Sequence, residues 1–190
     1  NPTGTIISSD TLEKLIALAE KQDCFLLVDE TYRDLNFDQQ SPLAATLSEN
    51  MISISSISKA HGLPGIRIGW LITRNRKLQE LFLAAKEQIS ICNSILDEEI
   101  AYRYLESGTH IAEIEKHVKK NRSIVEAWMD QNYFFEWVPP RAGCVCFPRF
   151  KSGSNVDLEL FYKILNEKYG TYVGAGHWFG MEKRYLRIGF

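Results

Sequence analysis

Residues 51–70, MISISSISKAHGLPGIRIGW, set one lysine, Lys59, behind an isoleucine-rich run and ahead of a glycine–proline turn. Two hydroxyls, Ser56 and Ser58, flank it, and a guanidinium, Arg67, follows. An amine at the carboxyl end of a strand, partly desolvated and near a cation, has its pKa lowered and becomes a nucleophile. Hydroxyl donors and a bidentate guanidinium beside it suit a phosphate. A second apolar run, CFLLVDE, ends in Asp29 with Tyr32 three residues on, and Asn1 opens the chain in NPTG.

Three readings compete for Lys59. In the plainest, it is a strand-end lysine whose stem covers apolar surface while its ammonium reaches water. In the second, Ser56-x-x-Lys59 is the nucleophile motif of penicillin-recognising enzymes. That motif opens a helix and is accompanied by Ser-Asp-Asn and Lys-Thr-Gly. Neither tripeptide occurs, and Ser56 falls in a predicted strand, so this reading is rejected. In the third, Lys59 is a Schiff-base lysine whose aldehyde partner is pyridoxal phosphate. That group needs a phosphate anchor, a carboxylate beside its pyridine nitrogen and donors to its phenolic oxygen. Ser56, Ser58 and Arg67 offer the first, Asp29 the second, and Tyr32 and Asn1 the third. Each has a plain alternative: Asn1-Pro2 as a turn, Tyr32 as a half-buried tyrosine, Arg67 as a surface strand residue.

The surrounding pattern reads as an α/β sheet that can hold such groups at strand ends. Residues 10–22 predict a helix, with Asp10 as cap, Glu13 completing a capping box, and Leu12, Leu15, Ile16 and Ala19 as the apolar stripe. CFLLVDE has the continuous apolar look of a strand buried on both faces of a parallel sheet. MISISSIS and IRIGWLIT predict two more strands. Helical patterns follow in RKLQELFLAAKEQI, LDEEIAYRYLE and a long segment over 109–132. From about residue 133, short strands return around a helix at 156–168, as in a small α+β unit. The expected division is 1–107, the second part of a large domain with a mainly parallel sheet, and 108–190, a small domain truncated at its end. Helix 109–132 would bridge the two. We read the chain as a piece of a longer protein.

Composition excludes several function classes. Of 190 residues 45% are hydrophobic, enough for a packed core, and the formal charge of −2 gives no basic field for nucleic acid or anionic membrane. No apolar run approaches the ~20 residues that span a bilayer, and NPTGTIISSD lacks the pattern of a signal peptide. A cytoplasmic protein is expected. Cys24, Cys92, Cys144 and Cys146 have no framework spacing and read as reduced, small apolar side chains. The four histidines stand at no metal-ligand spacing, so no metal is expected.

NPTG, VDETYRDL and SISKAHGLPGIRIGW resemble, in order and spacing, the fold-type-I pyridoxal-phosphate enzymes of the class I/II aminotransferase group. YLRIGF resembles that group's C-terminal strand with its substrate-carboxylate arginine. The resemblance covers the whole chain, as the C-terminal portion of such an enzyme. It implies an aminotransferase working by a ping-pong route on an amino acid and a 2-oxo acid, as a homodimer. It makes Lys59 the Schiff-base lysine and proton shuttle, Asp29 the partner of the pyridinium, and Asn1 and Tyr32 the donors to the phenolic oxygen. Ser56, Ser58 and Arg67 then bind phosphate, and Arg187 takes the substrate α-carboxylate. His177, Trp178 and Phe179 either meet a substrate side chain or pack under a loop. The same anchors serve a lyase or decarboxylase, and an aminotransferase-like domain also occurs behind the DNA-binding domain of some transcription regulators.

Overall fold

The computed structural model describes residues 2–37, 42–108 and 110–190, so the Asn1 expectation lies outside the described residues. Two compact units are present: Ile6–Lys116, and residues 2–5 together with His117–Phe190.

In the first unit, helix α1 (Ser9–Lys21) is capped by Ser8, whose hydroxyl accepts the Thr11 N–H at 3.2 Å. Asp10, the expected cap, is already inside the helix, and its carboxylate pairs one turn on with Lys14 at 2.8 Å. Leu12 of α1 packs on Met51 and Ala44, with Ile16, Leu26 and Val28 around them. Strand β1 (Leu26–Asp29) runs parallel to β2 (Met51–Ser56), and β3 (Gly69–Ile72) lies antiparallel on the far side of β2. The expectation that CFLLVDE is buried on both faces is not met. β1 lies at one end of the β1-β2-β3 order and its burial alternates, with Leu26 and Val28 packed against the core and Leu27 54% exposed. The third strand also starts later than IRIGWLIT suggests. Pro64–Ile66 form a 3-10 turn, and Arg67 adopts a left-handed φ of 57°, so an extended run begins only beyond them. Helices α2 (Arg76–Ile89) and α3 (Ile95–Ser107) follow, capped by Asn75 and Ser94.

Helix α4 (Ile111–Gln131) contains the boundary between the units, which falls between Lys116 and His117. The second unit adds β4 (Phe135–Glu136), β5 (Val145–Cys146), β6 (Arg149–Phe150), helix α5 (Leu158–Glu167), β7 (Gly174–Ala175) and β8 (Leu186–Gly189). β4 pairs with β6, and β8 pairs with both β5 and β7, all antiparallel. Met129, Phe135, Phe150 and Leu186 form its core, the two phenylalanine rings 4.3 Å apart. Cys146 is buried, its thiol pushed up to about 12 by burial, which keeps it inert. Cys24 and Cys92 are exposed, so the reading of all four as packed side chains holds only in part. No described helix is long and apolar enough to cross a membrane.

The opening turn belongs to this second unit. Gly4 has φ +63°, and its carbonyl accepts the N–H groups of Arg141 at 2.8 Å and Ala142 at 3.1 Å. A Cβ at Gly4 would sit 2.5 Å from Pro140 Cβ, so glycine is required for both its conformation and its space.

Candidate active site

The carboxyl ends of β1 and β2 lie side by side. Asp29 is in register with Ile54, and the Glu30 N–H bonds the Ile54 carbonyl at 2.8 Å, one residue past the strand. Ligands of open α/β sheets bind at such carboxyl ends. Asp29 is exposed, and its Oδ1 accepts from the Thr31 N–H at 3.0 Å and the Thr31 hydroxyl at 2.6 Å. This turn orients the carboxylate and leaves Oδ2 without a partner among the described residues. Tyr32 is half-buried and opens the 3-10 turn Arg33–Leu35, anchored by the buried Leu35.

Past β2 the chain makes a pinned turn. The Ile57 N–H bonds the Ile68 carbonyl at 3.2 Å, the Leu63 N–H returns to the Ile57 carbonyl at 3.0 Å, and the Gly62 N–H closes on the Lys59 carbonyl at 3.0 Å. Ile57 and Ala60 are buried, which holds Lys59 between two core anchors with its own side chain out. The expectation of a partly desolvated amine is therefore not met: Lys59 lies on the turn beyond the strand and is exposed. Ser56, the last residue of β2, accepts the Ser58 N–H on its hydroxyl at 3.3 Å. Arg67 folds back from the far side, donating to the Pro64 carbonyl at 2.8 Å and reaching the Ser58 hydroxyl at 3.5 Å. Its left-handed backbone is strained for a residue with a Cβ.

Six of the expected side chains thus gather at one end of the sheet: Asp29, Tyr32, Ser56, Ser58, Lys59 and Arg67. Together they present an exposed amine, a carboxylate, a phenol, and two hydroxyls beside a guanidinium. Arg187 stands in β8 of the second unit. It is exposed, while Leu186 beside it is buried, as strand alternation requires. Its guanidinium carbon lies 4.8 Å over the Phe179 ring, and it forms no ion pair among the described residues. Phe179 also meets the Phe147 ring at 5.6 Å, so it packs. His177 and Trp178 remain exposed, Trp178 against Tyr172. Sequence reasoning passed over His61, Asp34 and the Phe179–Arg187 stack. His61, two residues after Lys59 amid buried neighbours, carried the one usable signal.

The chain is 27% identical over its full length to HTH-type transcriptional regulator NorG of Staphylococcus aureus, covering 44% of it. It is 30% identical over its full length to capreomycidine synthase of Streptomyces vinaceus, covering 49%. Among solved structures, a PLP-dependent aminotransferase from Streptococcus suis superposes on the whole chain with a TM-score of 0.90 at 26% identity, over 50% of its own length. The chain thus spans about half the length of the relatives it matches, and its fold is that of PLP-dependent aminotransferases. Since residues 1–190 match its family model throughout, this chain belongs to the family "Aminotransferase class I and II".

Proposed function

We propose that the whole protein is a pyridoxal 5'-phosphate-dependent aminotransferase moving an amino group between an amino acid and a 2-oxo acid in a ping-pong cycle. The observation that carries this reading is the convergence of Lys59, Asp29 and the Ser56–Ser58–Arg67 set at the carboxyl ends of β1 and β2. The donor set fits the cofactor: cation and hydroxyls for its phosphate, a carboxylate with an oxygen to spare for its ring nitrogen, and an exposed amine for its aldehyde. Tyr32 and Asn1 would donate to its phenolic oxygen. When bound, the cofactor supplies an electron sink for the substrate carbon that loses a proton.

The chain's own residues do the rest. Lys59 would hold the cofactor through its Nζ, and the same amine would take the proton from the substrate Cα and return it. Asp29 keeps the ring nitrogen protonated by charge. Arg187 takes the α-carboxylate through two parallel hydrogen bonds. The reading includes a homodimer in the cytoplasm, acting on amino-acid and 2-oxo-acid substrates.

Borohydride reduction of the whole protein with pyridoxal phosphate, followed by peptide mapping, places the label on Lys59, and amino transfer depends on an added 2-oxo acid. A label on another lysine overturns the assignment. Release of ammonia or carbon dioxide instead of transfer selects the lyase or decarboxylase reading. The similarity to NorG favours a second reading, a ligand-sensing domain of a regulator. It predicts cofactor binding at Lys59 and DNA binding by the whole protein, with no turnover.

A further inference from the structure

His61 belongs to the same turn as Lys59 but is only 4% exposed. Its ring meets Trp70 of β3 edge-on, with centroids 5.9 Å apart, and Tyr104 of α3 at 5.7 Å. Tyr104 in turn stacks on His110 at 5.1 Å. His61 Nε2 faces Asp34 Oδ2 at 3.6 Å, longer than a hydrogen bond but close enough for attraction between an N–H dipole and a carboxylate. Asp34 also pairs with Arg33 at 3.2 Å. His61 Nδ1 and the Tyr104 hydroxyl are buried with no hydrogen-bond partner. A phenylalanine in the same slot would avoid the cost of burying that unpaired nitrogen. A chain that retains such a conflict between local packing and polarity does so most often for function.

The position of the conflict shows what it does. The β1–β2 ladder ends where the Glu30 N–H meets the Ile54 carbonyl. There the Ser55 hydroxyl donates to the Glu30 carbonyl at 3.4 Å, and beyond it one segment carries Tyr32 and the turn Arg33–Leu35, the other Lys59. The His61–Asp34 contact continues the tie past the last ladder bond. Trp70 and Tyr104 pack edge-on against the imidazole that makes this tie.

We propose that His61 is a positioning residue: with Asp34 it holds the Lys59 turn against segment 32–35, so that amine and phenol keep one mutual placement. The proposal rests on the reading of Lys59 and Tyr32 given above.

The test uses the whole protein with His61→Phe, Asp34→Asn and the double variant. Phenylalanine preserves the packing between Trp70 and Tyr104 and removes the nitrogen that faces Asp34. Amide hydrogen exchange, measured without cofactor, rises in both 30–36 and 57–63 and is unchanged in α1. The borohydride label stays on Lys59, while kcat falls about ten- to a hundredfold with little change in KM. The double variant is no worse than either single one, because both break the same contact. Exchange that rises only around residue 61, wild-type kcat in His61→Phe, or additive losses overturn the proposal. If His61→Phe does not fold, Asp34→Asn carries the same expectations and the same refutations. A wild-type protein that takes no label on Lys59 sinks the cofactor reading, while the exchange pattern still tests the tie independently.

Discussion

Replacing Phe179 by leucine isolates what the ring does for Arg187. Leucine keeps apolar contact with Phe147 and loses the π face that lies 4.8 Å from the guanidinium carbon. A cation over an aromatic face at an exposed site contributes about 0.5–1 kcal/mol. Arg187 is exposed, so that range applies. If the stack aims the guanidinium at a substrate carboxylate, its loss raises KM for amino acid and 2-oxo acid about two- to fivefold, at about 1.4 kcal/mol per tenfold. Steady-state kinetics on the whole protein, with borohydride labelling of Lys59 as the control for an intact cofactor site, reads this directly. An amino-acid amide is the decisive comparison: it lacks the carboxylate, so wild type and Phe179→Leu should treat it alike. An equal rise in KM for acid and amide, or no rise for either, refutes the aiming role. Gly174 offers a second route to the same pair. A Cβ there would lie 3.1 Å from Phe179 Cε2 and 3.3 Å from Arg187 Cβ, so Gly174→Ala disturbs the stack from below.

Two further outcomes are expected. Asp29→Asn keeps the label on Lys59 but lowers turnover by ~10²–10³, because an amide cannot hold the ring proton by charge; near-normal turnover contradicts the role. His61 gives the fold a dependence on pH: burial pushes its imidazole below the ordinary 6.5, with Asp34 pulling the other way less strongly. The folded state therefore binds its proton less readily than the unfolded chain. The contribution is complete above about pH 6.5 and declines as pH falls towards the folded value, by at most about 1.4 kcal/mol per pH unit. Urea melts between about pH 5 and 8 should show this slope in wild type and a shallower one in His61→Phe; parallel curves reject it.

Much of the grouping at the sheet end was legible because it is local. Lys59, Ser56, Ser58 and Arg67 lie within one stretch of chain, and the glycine–proline turn that folds Arg67 back is written between them. Asp29 and Tyr32 were legible for the same reason, at the end of a run of residues with strand character. What escaped notice depends on tertiary neighbours. Leu27 looks like any buried strand residue until the strand order puts β1 at an end of the sheet. Asp10 and Ser8 are both good caps, and only backbone geometry selects Ser8. His61 acquires meaning from Asp34, Trp70 and Tyr104, which arrive from three different elements. The stack of Arg187 on Phe179 depends on the pairing of β7 with β8, a register that no short window displays.

The hydrogen bonds that Gly4 accepts from Arg141 and Ala142 have a consequence for how the chain is made. Residues 2–5 join the unit built from His117–Phe190, while Ile6–Lys116 lie between them in the chain. On the ribosome, β1, β2 and β3 emerge before residues 140–142. The turn at Gly4 must wait until residues 140–142 emerge before its carbonyl finds those partners. The delay costs little in equilibrium terms, since each doubling of a closed loop adds only about 0.6 kcal/mol. Its effect is on order: α4 is completed before residues 2–5 are locked, because Arg141 and Ala142 follow it in the chain.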